Sequence, residues 1–434
     1  MIHLKNNWPT KKLGEICEER KEKNIKNLNL PVYTVSHIHG LIPYQKIFYK
    51  QVHSKDTRNY KVVKHNDFVF GLPTKDTLPL GYLSLENEIL VSPAYTVFSI
   101  KQKNLLYPRF LFYLFKTEKY KWRIIEIAKA QSATRHGLPL KFTHLENLEI
   151  PLPSLPIQQK IVKVLDTIQS AVEIQEKIIE KTKELKKSLM NLLFHYGLAG
   201  LRVKELMSSR VGELESEELE KLGFKLKKTE IGEIPEYWEV VKLGEVIEKP
   251  QYGITTKAVN KDTGIKFLRI TDIQDEKIDW NLIPFCECKE EELKKYALKK
   301  KDIVVARIGA TTGKSFLVNS DTRCVFGSYL IRIKTKFKLR PEFLNYYFQT
   351  NLYWFQLNLA KGGRLKGGIN IPVLENLKIP LPPLPEQQEI AEILQTVDQK
   401  IEIEKRKKEL YEELFKTMLN KIMSQEIDIS LLDY

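Results

Sequence analysis

The chain has 434 residues, past the size at which one hydrophobic core usually divides, so a peptide or a single small module is excluded and two or three domains are expected. Its 70 Lys and Arg against 55 Asp and Glu give a formal net charge of +15, and 42% hydrophobic residues supply ample core. A simple disordered basic tail is thereby excluded, and a folded protein drawn to polyanions is expected, with nucleic acid ahead of an anionic membrane.

The chain opens with Trp8-Pro-Thr-Lys-Lys-Leu-Gly-Glu-Ile16 and no secretory signal; no run of about 18 uncharged apolar residues occurs anywhere, which points to the cytoplasm and away from a membrane. Over 17–100, short runs such as Phe68-Val-Phe70 and Ala94-Tyr-Thr-Val-Phe98, punctuated by Gly, Pro, Asn and Asp, predict strands. Pro108 suits a first helical turn, and the aromatic and leucine spacing after it predicts a helix over 108–127 with its rings in the core. A basic loop, Lys129-Ala-Gln-Ser-Ala-Thr-Arg-His-Gly137, comes next. Ile150-Pro-Leu-Pro-Ser-Leu-Pro156 reads as a stiff extended arm, because each proline biases its predecessor away from helix.

From Ile157 a long amphipathic helix is predicted. Leu165, Ile168, Val172, Gln175, Ile179, Thr182, Lys186, Leu189 and Leu193 form a heptad seam, widened by Ile161, Val164, Ala171, Ile178 and Leu185. The charged stretch 201–232 reads as a linker with at most one short helix.

The chain then repeats itself at an offset of about 230 residues. Trp238-Glu-Val-Val-Lys-Leu-Gly-Glu-Val246 matches the opening, and Pro341, Phe343, Leu344, Tyr346, Phe348 and Thr350 match Pro108, Phe110, Leu111, Tyr113, Phe115 and Thr117, predicting a second helix over 341–359. A second basic loop, Lys361-Gly-Gly-Arg-Leu-Lys-Gly-Gly368, occupies the corresponding place. Leu374–Val397 repeats Leu145–Ile168, including I-P-L-P-x-L-P-x-Q-Q, and leads into a second seam: Leu394, Val397, Ile401, Glu404, Lys408, Tyr411, Phe415, Met418 and Ile422. Between these anchors, 17–100 and 247–333 share little beyond an Asp ahead of an apolar run, Asp67 and Asp302. One framework carries two different variable faces.

The expected fold class is α+β: two similar strand-rich globules with helices, separated by two long antiparallel coiled-coil helices in a pseudo-twofold internal repeat. The expected divisions are 1–156, a helix over 157–200, the linker 201–232, a second globule over 233–385, a helix over 386–424 and a tail over 425–434. About 36 helical residues span about 54 Å, comparable with one to two turns of B-DNA. A coiled coil used only for dimerisation is the alternative.

Chemistry-bearing motifs are few. Cys17, Cys286, Cys288 and Cys324 lack a second pair at zinc spacing, so unpaired thiols and no metal are expected. His37-Ile-His39 on one strand face has no carboxylate or cysteine cluster beside it. Gly309-Ala-Thr-Thr-Gly-Lys-Ser315 resembles a phosphate-binding loop but is one residue short between its glycines and runs into strand-like Phe316-Leu-Val318. It reads either as a hairpin tip presenting Arg307 and Lys314 to a phosphate or a guanine edge, or as an ordinary solvated turn. No methyltransferase or nuclease motif is visible, and neither a cofactor nor catalysis is expected.

The W-x-x-x-K-L-G-E openings, the L-E-N-L-x-I-P-L-P-x-L-P-x-Q-Q boundaries and the two seams together resemble the DNA sequence-specificity subunit of a type I restriction–modification enzyme. The likeness spans nearly the whole chain, including Thr229-Glu-Ile-Gly-Glu-Ile-Pro-Glu-Tyr-Trp238. It implies two target-recognition domains reading a split, asymmetric site on double-stranded DNA, and long helices that act as a ruler. Those helices would dock two methyltransferase subunits, with restriction and translocase subunits joining them. Charge, loop position and correspondence between repeats select Lys129, Gln131, Arg135 and His136 in one half as DNA contacts. In the other half they select Arg307, Lys314, Lys361, Arg364 and Lys366. The rivals are a coiled-coil adaptor without sequence-specific DNA binding and a nucleotide-binding enzyme built on Gly309–Ser315.

Overall fold

A computed structural model describes residues 8–47, 54, 56–84, 87–131, 138–201, 225–274, 277–360 and 367–429. In chain order the elements used below are β1 (Thr10–Lys12), β2 (Cys17–Glu19), β3 (Phe68–Phe70), β4 (Leu80–Tyr82), β5 (Thr96–Ile100), α1 (Pro108–Lys116), α2 (Glu118–Lys129), β6 (Glu149–Pro151) and α3 (Leu155–Tyr196). The second half supplies β7 (Glu239–Lys242), β8 (Gln251–Tyr252), β9 (Ile303–Ala306), β10 (Ser315–Leu317), β11 (Leu330–Ile333), α4 (Pro341–Tyr347), α5 (Asn351–Ala360), β12 (Lys378–Leu381) and α6 (Leu384–Met423).

The chain divides into two compact units, 1–176 with 406–434, and 177–405. Each unit therefore takes one segment of each long helix.

In the first unit a four-stranded antiparallel sheet has the order β2-β5-β3-β4, with Phe68 opposite both Phe98 and Tyr82. In the second the order is β8-β11-β9-β10, with Ile303 opposite both Ile333 and Leu317. The variable regions, so different in sequence, thus share one strand order. Asp67 and Asp302 account for the one resemblance between them. Each is buried, and each accepts the N–H of the residue three before it, Lys64 at 2.8 Å and Lys299 at 3.0 Å, at the turn that starts the central strand.

The repeated motifs are packing partners. β1 pairs with β6 and β7 with β12, so the K-L-G-E segment lies against I-P-L-P. At Gly14 a Cβ would stand 2.9 Å from Glu146 Cβ, and at Gly244 3.0 Å from Glu375 Cβ. That close approach requires glycine in both copies.

Each expected aromatic helix is two helices. Thr117 and Thr350 are the breaks: each hydroxyl accepts the N–H three residues on, from Tyr120 at 3.4 Å and Tyr353 at 3.3 Å, and so caps a new helix start. The rings of Phe110, Tyr113, Phe115, Phe343, Tyr346 and Phe348 are buried in the cores.

The proline arm is partly strand, and α3 and α6 begin at Leu155 and Leu384, two residues ahead of Ile157 and Glu386. The last proline of each run, Pro156 or Pro385, sits in the first helical turn, where its missing N–H costs nothing. Residues 225–235, expected to be linker in part, form a hairpin in which Leu226 pairs with Pro235 and Thr229 with Gly232.

Within each unit the long helices run antiparallel. In the first, Lys408 Nζ meets Glu176 at 2.5 Å while Ile161 and Leu165 share a core with Leu419 and Ile422. In the second, Lys186 Nζ meets Asp398 at 2.9 Å while Leu193 shares a core with Ile390 and Leu394. Val172, Ile179, Leu189, Leu193, Leu394, Ile401 and Ile422 of the seams are buried, but Tyr411 is 36% exposed, and so are Ile178 and Leu185 at 37% and 40%. The apolar stripe is wider than the chain itself covers.

His37 and His39 lie in the turn between strands Tyr33–Ser36 and Gly40–Pro43, not on a strand face. Among the described residues no cluster of His, Cys, Asp and Glu could hold a metal ion, and no helix is long and apolar enough to cross a membrane. All four cysteines are free thiols, and burial pushes Cys17 up to about 12 and Cys286 up to about 11.

Candidate nucleic-acid interface

Gly309–Ser315 forms the tip of the β9–β10 hairpin. Gly313 N–H donates to Ala306 O at 2.8 Å and Ala306 N–H to Lys314 O at 2.9 Å, closing the turn. Gly313 sits at φ +97°, its carbonyl accepts the Tyr353 hydroxyl at 2.8 Å, and a Cβ there would overlap Leu357 Cδ2 and stand 2.9 Å from Trp354. This glycine lets α5 pack against the tip. Because β10 follows directly, the loop does not run into a helix N-terminus, and the phosphate-loop reading lacks the strand–loop–helix order it requires.

Arg307 leaves β9 and is held from several sides. Its N–H donates to Tyr329 O at 2.9 Å and its carbonyl accepts Ile369 N–H at 2.8 Å. Its guanidinium lies over the Tyr252 ring, 4.8 Å from the centroid, and Nη1 reaches Ser328 O at 3.4 Å. Lys314 is half-buried at the base of the same tip.

The Ile369 contact also joins two features that are far apart in sequence, since residue 369 is where the chain leaves the second basic loop. The first half repeats the arrangement: Leu138 N–H, leaving the first basic loop, donates to Pro73 O at 2.9 Å, just beyond β3. Arg135, His136, Lys361, Arg364 and Lys366 lie outside the described residues.

Lys129 ends α2, and Gln131 follows it in a tight turn, its N–H donating to Ala128 O at 3.1 Å. Trp122 on the same helix is 41% exposed, with Lys121 Nζ 5.0 Å and Lys129 Nζ 5.9 Å from its ring. Its counterpart in the second half, Phe355, is 64% exposed. A ring beside two ammonium groups, as at Trp122, suits a polyanion carrying flat bases.

Sequence reasoning missed Tyr252 and Tyr329 because an isolated aromatic in a strand-rich stretch reads as core, and Trp122 because the rings of the helix expected over 108–127 read as core. It also missed Lys75, exposed at the tip between β3 and β4. The spacing from Asp67, matched to that from Asp302, was the available signal.

The tips stand on buried carboxylates. Arg20 binds Asp67 with two nitrogens, and Arg332 approaches Asp302 at 3.6 Å. Burial raises both carboxylates above the usual range, opposed at Asp67 by Arg20 and at Asp302 first by the Lys299 N–H.

Two unlike tips on one repeated framework, Lys75 beside Asp76 at one and Arg307 with Lys314 at the other, together with long helices passing through both units, define a DNA-specificity protein as a class. The chain belongs to the type I restriction modification DNA specificity domain family, whose model matches residues 5–184 and 235–413. It is 28% identical over 451 residues to the type I restriction enzyme MjaVIII specificity subunit of Methanocaldococcus jannaschii, covering 100% of this chain and 96% of that one. It is 27% identical over 252 residues to the EcoBI specificity subunit of Escherichia coli, covering 57% and 50%. In fold it is similar to the type I restriction–modification S subunit from M. genitalium, with a TM-score of 0.55 at 14% identity over 97% of each chain. A chain solved in work on assembly and conformational transition of a type I system gives 0.53 at 18%, over 96% of this chain and 98% of that one.

Proposed function

We propose that this chain is the sequence-specificity subunit of a type I restriction–modification complex, and that it selects a bipartite, asymmetric DNA site without performing chemistry itself. One observation carries the reading: the same strand order, β2-β5-β3-β4 and β8-β11-β9-β10, bears unlike tips in the two units. One framework with two different faces suits two different half-sites.

Residues 1–156 and 233–385 serve as target-recognition domains. The linker 201–232 joins them, the helices over 157–200 and 386–424 set the unread gap, and 425–434 is a tail. Lys129, Gln131, Arg135 and His136 contact one half-site, and Arg307, Lys314, Lys361, Arg364 and Lys366 the other. Most neutralise phosphates and fix register, and a few read base edges.

Two methyltransferase subunits dock on the long helices, and restriction and translocase subunits join that complex. Ile174, Leu185, Ile403, Leu410 and Leu414, between 40% and 56% exposed, support this docking, since they lie off the two-helix seam and leave apolar surface that the chain itself does not cover. The location is cytoplasmic, where the DNA is.

The test is selection from a random duplex library by the full chain with its co-purifying partners, at controlled salt. Two unlike short blocks at a fixed gap are expected. No enrichment from a folded complex containing a methyltransferase would instead favour the coiled-coil adaptor.

A further inference from the structure

The second unit holds one basic side chain in a way that simple phosphate neutralisation does not call for. A lysine or arginine that only balances charge works from a flexible stem. Arg307 is the opposite case. Both of its backbone polar groups are taken, by Tyr329 O and Ile369 N, and its guanidinium is laid on the Tyr252 ring at 4.8 Å. Tyr252 is itself anchored, because its hydroxyl accepts Ile371 N–H at 3.2 Å. The guanidinium is therefore positioned by the ring on one side and by Ser328 O at Nη1.

Its hydrogen bonds are left incomplete. Among the described residues Nε is buried without a partner, and the only acceptor on the terminal nitrogens is Ser328 O, 3.4 Å from Nη1. Thr311 Oγ1, in the same hairpin tip, is likewise buried without a partner. The buried Nε faces into the fold, whereas among the described residues Nη2 has no acceptor and Nη1 only the long bond to Ser328 O, so the outer edge of the guanidinium is the part left for a ligand. Tyr252 and Tyr329, 36% and 53% exposed, mark this as a surface open to a large ligand.

We propose that Arg307, oriented by Tyr252, reads a guanine in the half-site of the second unit. The inference rests on the DNA-specificity reading above and adds the base and the residue. The chemistry that matches a fixed planar fork of N–H donors is a pair of acceptors in one plane. In the major groove, guanine presents that pair as O6 and N7. With Nε turned inward, the fork is the end-on pair Nη1 and Nη2. Tyr252 is a positioning residue: it touches the arginine rather than the base. Lys314, at the base of the same tip, supplies the flexible charge for the neighbouring phosphate.

The test is the same library selection, run with wild type, Arg307→Ala, Arg307→Lys, Tyr252→Leu and Tyr252→Phe, each checked for folding by its unfolding midpoint. Wild type is expected to show a guanine at one column of one block. Arg307→Ala and Arg307→Lys should reduce the preference at that column about 10- to 100-fold and leave the other columns intact. Lysine keeps the charge and loses the fork, so it separates reading from neutralisation even if the alanine variant folds poorly. Tyr252→Leu should weaken the same column, and Tyr252→Phe, which keeps the ring and loses only the hydroxyl's bond to Ile371 N–H, should weaken it less.

Weaker binding to every sequence alike, with a reduced salt slope, would make Arg307 a phosphate contact and overturn the proposal. So would an unchanged motif. A wild-type complex that enriches no motif would overturn the specificity reading itself, and this inference with it.

Discussion

Gln158 and Gln387 hold identical places in the two halves, and each ties the start of a long helix to the chain just ahead of an aromatic helix. Gln158 Oε1 accepts Tyr107 N–H, and its Nε2 donates to Leu105 O and Pro153 O, all at 2.8 Å. Gln387 Oε1 accepts Arg340 N–H at 2.8 Å, and its Nε2 donates to Lys338 O at 3.0 Å and Pro382 O at 2.8 Å. Both side chains are fully buried. The second glutamine of each Q-Q pair, Gln159 or Gln388, is exposed.

Gln158→Ala strands three backbone groups away from water and is expected to cost about 3 kcal/mol, as is Gln387→Ala. Gln159→Ala, on the solvent face of the same helix, should cost less than about 0.5 kcal/mol. Urea unfolding of the three single variants checks the contrast. Equal losses at the first and second glutamines would contradict the tie.

Lys301 is strained where its counterpart is not. It lies at φ +75°, in the turn that Asp302 caps, and Asn66 holds the equivalent place at φ +70°. Asparagine tolerates that region and lysine does not. Lys301→Asn or Lys301→Gly is therefore expected to stabilise the second unit by about 0.5–1 kcal/mol. The ion pair lost, between the exposed Lys301 and the half-buried Glu342, is long at 4.0 Å and contributes little. A lower unfolding midpoint in both variants would refute this.

Gly313→Ala meets both obstacles, a backbone at φ +97° and the side chains of Leu357 and Trp354. A loss of about 1–3 kcal/mol is expected. Since the glycine is there for packing and not for nucleotide, Mg-ATP should leave the unfolding midpoint of the wild-type chain unmoved. An ATP-dependent rise would restore the nucleotide-binding rival.

His195, near the end of α3, is depressed from the usual histidine value by burial, which outweighs the pull of Glu233 in the other direction. The folded form resists protonation, so the unfolded chain binds more protons below its ordinary value near 6.5. The stability involved is fully present above about pH 6.5 and is lost as the pH falls through the folded value. His195→Phe should flatten this part of the pH profile below about pH 6.5. A variant whose stability falls as steeply with acid as wild type would show that other groups set the slope.

Much of the framework was legible because repetition marks packing. K-L-G-E and L-E-N-L recur together since the backbone of Gly14 must approach Glu146 and that of Gly244 must approach Glu375. The seams were legible because period 3.5 is a property of the chain itself, though Tyr411 shows that a seam position need not be covered. Thr117 and Thr350 were visible in the repeat, but their role as helix breaks was not. An N-cap inside an aromatic pattern is indistinguishable in period from one continuous helix.

The sequence by itself determined the two-fold repeat, the basic balance, the helix seams and the family, because these depend on residue type and spacing along one line. Only the tertiary structure decided that the unlike variable regions share a strand order. It alone showed that the glycine-rich run is a hairpin tip held by Tyr353, and that Tyr252, Arg307 and Ile369 converge. Those relations join residues far apart in the chain. Their reason is the pairing of strands and the closing of a core, which no local pattern encodes.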